Sequence, residues 1–522
     1  MATVTPVETT LLILGLAVVA FMTGRIPIAI VAVGVSVLLW FTGVLDLNEA
    51  LAGFGDPTVV FIAALFVVSD ALDATGVTAW AGQQAVTRGG TKRTGLLLTI
   101  CLLVALLTAL ISVNGAVAAL IPVVVVVAVR VGLPPSQMLM PLAFSAHAGS
   151  MLALTGTPVN IIVSDAAENG GGRAFGFFEY TAVGVPLLVG TLVIILAFGR
   201  KLLPHNLPTE LPADVAVLAR ALRRDYQLPA NSELMGATRG VTEVVIPPRS
   251  ELIGTHLFPG QATPSGDLVV LAVQRAGEPI TSRDSVLAVG DTLLLGGTWE
   301  HLEIHTAGPD VLVVNDPASL RRGIPMGKGA KRSLVILGVM ILLLVTGWVP
   351  PAIAALLAAG AVILSGVFTP ARAYKAVSWT TVLLVAGMIP LSTAFIKTGT
   401  ADLIADKLLT YLGDSPAQIA LLTLCVLTMV LGQMISNTAT VLIMAPIAVA
   451  LSVEMDVSVM PFMMALAVSG AASFLTPVAT PANTMVMEPG AYKFGDYWKL
   501  GLPLLLLFLA VAVLWVPVVW PF

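Results

Sequence analysis

The sequence predicts an all-α polytopic membrane protein: two inverted repeats, each of five transmembrane helices plus a re-entrant hairpin, with a small cytoplasmic α/β insert between them. Three observations predict it. Of 522 residues, 57% are hydrophobic and only 11% charged, where a soluble domain has about 25% charged. Hydrophobic runs long enough to cross a bilayer, roughly 17 residues or more, come in two sets of six around a polar stretch. The two sets also match each other where their helices are interrupted.

The first set lies near 9–24, 26–43, 57–80, 94–130, 137–164 and 180–199, and the second near 333–349, 351–367, 378–396, 416–451, 458–487 and 498–520. The first run lacks a basic leader and a small-residue cleavage site, so it reads as a permanent span. Basic residues gather at Arg25, Arg88/Lys92/Arg93, Arg130, Arg200/Lys201, Lys328/Lys331/Arg332, Arg372/Lys375 and Lys493/Lys499, whereas the 44–56 loop holds only Asp46, Glu49 and Asp56. The positive-inside rule puts the basic loops in the cytoplasm. Segment 94–130 is too long for one span and basic at both ends, so it should enter, turn at Ser112, Asn114 and Gly115, and return. Segment 416–451 is flanked by Asp402, Asp406, Asp414, Glu454 and Asp456 and should do the same from outside, turning at Ser436-Asn437-Thr438. The count is then ten spans and two hairpins, with both termini outside and a multi-pass chain in the cell membrane.

A shift of 324 lays L-T-I-C (98–101) on L-T-L-C (422–425), Ile111-Ser112 on Ile435-Ser436, Pro122 on Pro446, and Ser145 on Ser469. A shift of 323 lays Thr157-Pro158-x-Asn160 on Thr480-Pro481-x-Asn483. With five spans per half and a cytoplasmic insert, the copies face opposite ways, as in secondary transporters with inverted repeats and broken helices. The division is 1–200 for the first repeat, 201–330 for a linker and soluble domain (core about 236–316), and 331–522 for the second repeat. Cys101 and Cys425 lie inside hydrophobic runs without metal-ligand spacing and read as small hydrophobes.

From about 201 the composition turns polar. A linker with a short helix (Asp214 to Tyr226) precedes strand-like runs V-T-E-V-V-I-P-P from 241, D-L-V-V-L-A-V-Q-R from 267 and D-T-L-L-L-G-G-T from 291, then a helical W-E-H-L-E-I (299–304) and V-L-V-V-N (311–315). Glu243–Leu257, Gly266–Arg275 and V-G-D-T-L-L-L-G-G-T (289–298) make this insert resemble the TrkA C-terminal domain of potassium-conductance regulators. The resemblance implies a small βαβ-type module that senses a small-molecule regulator or dimerises. No G-x-G-x-x-G follows a strand, so the nucleotide-binding half that often accompanies such a module is absent.

Inside a bilayer, freed backbone groups survive only where they line a cavity or find partners. A break exposes carbonyls, which suit Na⁺ together with Ser, Thr and Asn oxygens, and helix N-termini, which suit an anion. One Na⁺ site is expected from Ser112, Asn114, Thr155, Gly156 and Asn160, and a second from Ser436, Asn437, Ala479, Thr480 and Asn483. The anion between them would meet Ser112, Asn114, Gly115, Thr157, Pro158, Asn160, Ser436, Asn437, Thr438, Thr480, Pro481 and Asn483. The plainer reading, small residues that only permit close helix packing, does not require the repeated Pro and Asn. His147, one or two turns before the first break, aligns with Ala471 and so lies outside the repeat; it is a candidate for substrate or proton contact, or a structural histidine. Asp70 and Asp73 share a helix face and are expected near a membrane end, in a packing or interface role ahead of a proton relay. Asp165 and Glu168 are expected at the outer loop.

Ser436-Asn437-Thr438 and the two Thr-Pro-x-Asn copies make the membrane part resemble the divalent-anion:sodium symporters of the ion-transporter superfamily. That resemblance implies a homodimer, Na⁺-coupled uptake of dicarboxylates, tricarboxylates or sulfate, and an elevator motion. The chain departs from the pattern at the first tip, which reads Ser112-Val113-Asn114-Gly115. Three other readings stand beside it: a proton-coupled anion transporter, a cation/proton antiporter of the same superfamily, and a channel gated by the soluble domain. A net charge of −4 gives no reason to expect a nucleic acid partner, and no catalytic constellation points to an enzyme.

Overall fold

A computed structural model describes residues 5–23, 25–89, 92–206, 215–228, 234–236, 238–280, 286–317, 320, 326–327, 329–412, 416–477 and 479–522. Lys328, Asp414 and Val478, the side chains of Arg88 and Arg130, and parts of the 203–232 linker lie outside them. The first half comprises α1 (Pro6–Thr23), α2 (Ile28–Phe41), α3 (Leu47–Leu51), α4 (Pro57–Ala74), α5 (Val77–Gly89), α6 (Arg93–Leu110), α7 (Val113–Arg130), α8 (Leu139–Gly149), α9 (Pro158–Asn169) and α10 (Thr181–Leu202). The insert holds α11 (Val215–Asp225), β1 (Arg239–Val245), β2 (Leu268–Arg275), β3 (Glu278–Pro279), β4 (Thr292–Thr298), α12 (Trp299–His305) and β5 (Leu312–Val313). The second half comprises α13 (Ala330–Thr346), α14 (Pro351–Leu364), α15 (Pro370–Ala376), α16 (Trp379–Thr398), α17 (Thr400–Leu412), α18 (Ala417–Gly432), α19 (Asn437–Glu454), α20 (Val459–Gly470), α21 (Pro481–Met487) and α22 (Tyr497–Ala510), and α22 runs through a π-helical turn at Val511–Trp515 into α23 (Val516–Val519).

Among the described residues, seven helical stretches are long and apolar enough to cross a membrane, and five further apolar helices are shorter. The chain is a multi-pass membrane protein. Each long hydrophobic run splits as expected, but the turns come earlier: 94–130 becomes α6 and α7 with the turn at Ile111-Ser112, and 416–451 becomes α18 and α19 with the turn at 433–436, so that Asn114, Gly115, Asn437 and Thr438 lie in the first turn of a helix rather than in the bend. The arms are not short. Arg93–Leu110 and Val113–Arg130 have 18 residues each, about 27 Å at 1.5 Å per residue.

The halves interlock rather than sit side by side. α2 packs along α16, where Ser36 Oγ donates to the Gly387 carbonyl at 2.9 Å. α4 packs on α14, α9 on α19 and α20, and α21 on α7 and α8. Helices after each break press onto it through a glycine. A Cβ added at Gly184 of α10 would lie 2.2 Å from the Met151 carbonyl oxygen, and one at Gly501 of α22 would lie 2.2 Å from that of Phe474.

The insert is a five-stranded sheet in the order β3-β2-β4-β1-β5. Its strand pairs are antiparallel, with β1 pairing β4 from Arg239↔Thr298 to Val245↔Thr292 and β2 pairing β4 across a bulge at Val270/Ala272. This corrects the βαβ expectation, because β1 and β2 flank β4 and no parallel crossover is made. Trp299 and Leu302 of α12 are buried against the sheet, and the Trp299 ring fills the space over Gly240. Asp291 anchors the β4 start. Burial raises its carboxyl pKa, but the paired Arg275 guanidinium (2.7 Å) and the Ala288 N–H (2.8 Å) outweigh that and hold it below the ordinary value. The insert touches the membrane part through Arg372 of α15, whose Nη1 donates to Glu303 Oε2 of α12 at 2.6 Å.

Gly184→Val and Gly501→Val each force a side chain into backbone that has no rotamer to escape to, an overpacking that typically costs about 1–3 kcal/mol. Both variants should unfold several degrees earlier in detergent, whereas Gly338→Val, with nothing within 4 Å of the added Cβ, should unfold with the parent. Identical midpoints for all three would refute this close approach of α10 and α22 to the breaks.

Candidate functional site

Both Thr-Pro pairs start a helix. Thr157 sits at the N-cap of α9 with an extended backbone (φ −154°, ψ 148°), its hydroxyl accepts from the Val159 N–H at 3.4 Å, and Pro158 follows at the first helical position. Thr480 does the same for α21, accepting from the Asn483 N–H at 3.3 Å ahead of Pro481. A hydroxyl cap satisfies an orphan donor, and proline at the first position loses no needed N–H. The hairpin turns follow the same rule: Ser112 Oγ accepts from the Gly115 N–H at 3.2 Å and Ser436 Oγ from the Ala439 N–H at 3.3 Å.

The asparagines close the breaks from behind. Asn160 Nδ2 donates to the carbonyls of Ser150 (2.9 Å) and Ala153 (3.0 Å), and Asn483 Nδ2 donates to those of Ser473 (2.8 Å) and Thr476 (3.1 Å). Each bonded pair is ten and seven residues upstream of its Asn. Tyr180 and Tyr497 each cap the Asn carbonyl, at 2.6 and 2.7 Å. Both asparagines are fully buried, and each Oδ1 lacks a hydrogen-bond partner among the described residues.

One cavity of about 500 Å³ gathers most of the expected site. Its wall takes Ser112, Asn114 and Gly115 from the first tip, Gly156, Thr157 and Pro158 from the first break, Ser436, Asn437 and Thr438 from the second tip, and Ala479, Thr480 and Pro481 from the second break, together with His147. Three expected residues are not on it. Asn160 and Asn483 stand behind the wall as described. Thr155 is buried, and its hydroxyl donates to the Ala109 carbonyl at 2.9 Å, tying the break to the end of α6.

Some features escaped sequence reasoning. Asp70 and Asp73 line this cavity, and Asp73 Oδ1 accepts from Thr78 Oγ1 at 2.9 Å. Their i, i+3 spacing on a hydrophobic helix was the available signal. His147 has no counterpart in the second half, yet it joins the two halves: Nε2 is hydrogen-bonded to Thr480 Oγ1 at 3.2 Å, and its ring meets Phe474 edge-on. Gln433 was also missed. Its amide donates to the Ala472 carbonyl at 3.0 Å and its Oε1 accepts from the Leu475 N–H at 3.0 Å, so it supports the second break from the turn. The tips differ as well. Asn437 Oδ1 accepts from Ser473 Oγ, binding tip to break, while the equivalent Val113 cannot, and Ser150 Oγ donates instead to the His147 carbonyl at 2.7 Å. Asp165 lines a second cavity of about 360 Å³ with Asp56 and Asn169.

Chemically, the main cavity offers hydroxyls, amides and four helix starts. Among the described residues no Lys or Arg lines it, and two carboxylates do. Comparison with known proteins agrees with a transport role. The Escherichia coli K12 protein named "Uncharacterized transporter YfbS" is 30% identical over 98% of both chains. Sodium/sulfate cotransporter 2 of Chlamydomonas reinhardtii is 27% identical over 47% of this chain and 28% of its own. The crystal structure of the Alcanivorax borkumensis YdaH transporter superposes with a TM-score of 0.52 over 91% of this chain and 88% of that one, at 15% identity, a likeness of fold. The citrate transporter family matches residues 18–450 and 397–522, and the chain belongs to that family.

Proposed function

We propose that this transporter is a sodium-coupled symporter of the elevator type for a small divalent anion, sulfate or a di- or tricarboxylate. The observation that supports it most is the meeting of both tips and both breaks on one cavity wall. Ser112, Thr157, Ser436 and Thr480 each cap a helix whose N-terminal amides and partial positive charge face a bound oxyanion. Those dipoles do not neutralise the full charge of a dianion, and a desolvated, unpaired charge costs several kcal/mol. Cotransported Na⁺ supplies the missing charge. The hard oxygen donors at the tips and breaks suit it, and the two orphaned Asn oxygens behind the wall are polar atoms still without partners. The sodium/sulfate cotransporter among the relatives and the citrate name of the family fit both halves of this reading.

In this reading residues 1–200 and 331–522 are inverted repeats, and 201–330 is a cytoplasmic regulatory insert. Both termini lie outside, and two copies pair so that the tips and broken helices move against a fixed scaffold. A second reading rests on Asp73, which is buried on the cavity wall: protons would replace Na⁺ as the coupling ion.

Proteoliposomes with labelled sulfate, succinate or citrate separate the two. The expected result is uptake of at least one anion that rises with an inward Na⁺ gradient at constant pH and stops when Na⁺ is replaced by choline. Uptake driven by a pH gradient alone would transfer the coupling to the proton reading, and uptake of none of the three would end the anion assignment.

Asn437→Ala should reduce the Na⁺-stimulated rate at least tenfold while leaving the detergent unfolding midpoint within a degree or two. Asn483→Ala should abolish Na⁺ dependence as well, but with lower stability, since two buried carbonyls lose their donor at about 1–3 kcal/mol for an unsatisfied group. Unchanged Na⁺ dependence in both variants would show that the ions bind elsewhere.

A further inference from the structure

The cavity wall holds one ring that the transport reading does not use. His147 comes from α8, and the equivalent position of the second half, 471, is Ala. The imidazole is buried, and aromatic packing fixes its direction. Phe474 meets it edge-on with ring centroids 5.8 Å apart, and Phe474 is itself held edge-on by Phe144 at 5.1 Å and Phe508 at 4.8 Å. A ring so held cannot swing away from Thr480, whose Oγ1 lies 3.2 Å from Nε2.

A hydroxyl has one proton to give and two lone pairs to accept with, and a neutral imidazole carries its proton on one nitrogen. Which partner gives in this pair decides what Thr480 can offer an anion. Asn483, from the same turn of α21, acts on the same imidazole. Its Nδ2 is committed to the Ser473 and Thr476 carbonyls, so the group left for the ring is Oδ1, an acceptor without a bond of its own. Facing two oxygens, one of which can only accept, Nε2 carries the proton and donates.

Thr480 Oγ1 then accepts twice, from the Asn483 N–H at 3.3 Å and from His147 Nε2–H. Both lone pairs are taken, and among the described residues no acceptor meets its own proton. That proton is left for the cavity, which Thr480 lines. Thr157 also accepts from a backbone N–H, that of Val159, but Ala471 stands in the place equivalent to His147 and directs nothing. We propose that His147 is a positioning residue for anion binding: by donating to Thr480 Oγ1 it aims the Thr480 hydroxyl proton at an oxygen of the bound anion. A donor aimed in advance binds without paying to be ordered. The direction of the hydroxyl stands on the hydrogen bonds alone; its use rests on the transport reading above.

Kinetics of sulfate, succinate and citrate uptake in H147M and H147Q test it. Methionine keeps the bulk without a donor, and the glutamine amide keeps a donor. H147M should raise the KM of the transported anion about tenfold, the worth of one hydrogen bond to a charged group, with a maximal rate within about twofold of the parent's. H147Q should stay within about threefold in both. In T480V, which has no hydroxyl to aim, adding H147M should change KM by less than about twofold. A parental KM in H147M, a tenfold rise in H147Q, or an H147M effect undiminished in T480V would overturn the proposal. The proton itself is read without transport, by nitrogen-15 resonance of the full chain labelled at histidine. The signals lost in H147Q should be those of a protonated Nε2, and a bare Nε2 would overturn the proposal whatever the uptake. A protonated Nε2 in a parent that takes up none of the three anions would count against the transport reading instead.

Discussion

Everything at the centre of this molecule depends on satisfying backbone groups where a helix has been interrupted away from water. An unpartnered peptide group in an apolar medium costs several kcal/mol, so an unwound segment persists only if something replaces the lost helical bonds. Here one side-chain amide does it twice. Asn160 reaches back to Ser150 and Ala153, and Asn483 to Ser473 and Thr476, each pinning two carbonyls of the segment it terminates. A buried tyrosine then holds the asparagine's own carbonyl. With the backbone secured from behind, the front of each break is released to face the cavity.

That division of labour explains why the motif is Thr-Pro-x-Asn rather than a looser run of small residues. Thr caps the new helix, Pro begins it without a wasted donor, and Asn, one turn in, faces away from the cavity toward the strand of backbone it secures. Gly184 and Gly501 let α10 and α22 lie directly on those segments, so the break is clamped by packing as well as hydrogen bonds. His147 adds a bond that neither half makes alone. By joining Thr480 it makes the cap of one broken helix depend on the position of the other.

The parts legible in the sequence were those whose physics is local. The split of long hydrophobic runs and the strand runs of the insert each follow from a few neighbouring residues. The paired breaks were legible because the same local solution appears twice at a fixed offset. What the sequence withheld depends on distant contacts. The strand order of the insert is set by which runs pair, and the runs of β1, β2 and β4 read alike, so the antiparallel arrangement left no trace in periodicity. Asp70 and Asp73 become cavity residues only because α4 faces the first tip, and His147 becomes a bridge only because α21 packs on α8. The Asn pair was legible but its backbone partners were not, because a side-chain amide that repairs backbone has the same spelling as one that does not.

The departure at the first tip takes on a physical meaning in this arrangement. In the second half Asn437 is bound to Ser473, so the tip and the break are joined by side chains and that amide oxygen is already committed. In the first half Val113 makes no such bond, Ser150 turns to its own helix, and the tie between hairpin and break passes instead from Thr155 to the Ala109 carbonyl, behind the cavity wall. Asn114 is left on the wall with Gly115 beside it, where a Cβ would already crowd Ser112 Oγ at 3.2 Å. A tip with fewer internal commitments and a bare backbone presents more of its polar groups outward. The two halves therefore share one solution for holding a broken helix but differ in what they leave free. In the proposed symporter, contacts that distinguish one anion from another would come more readily from the first tip than from the second.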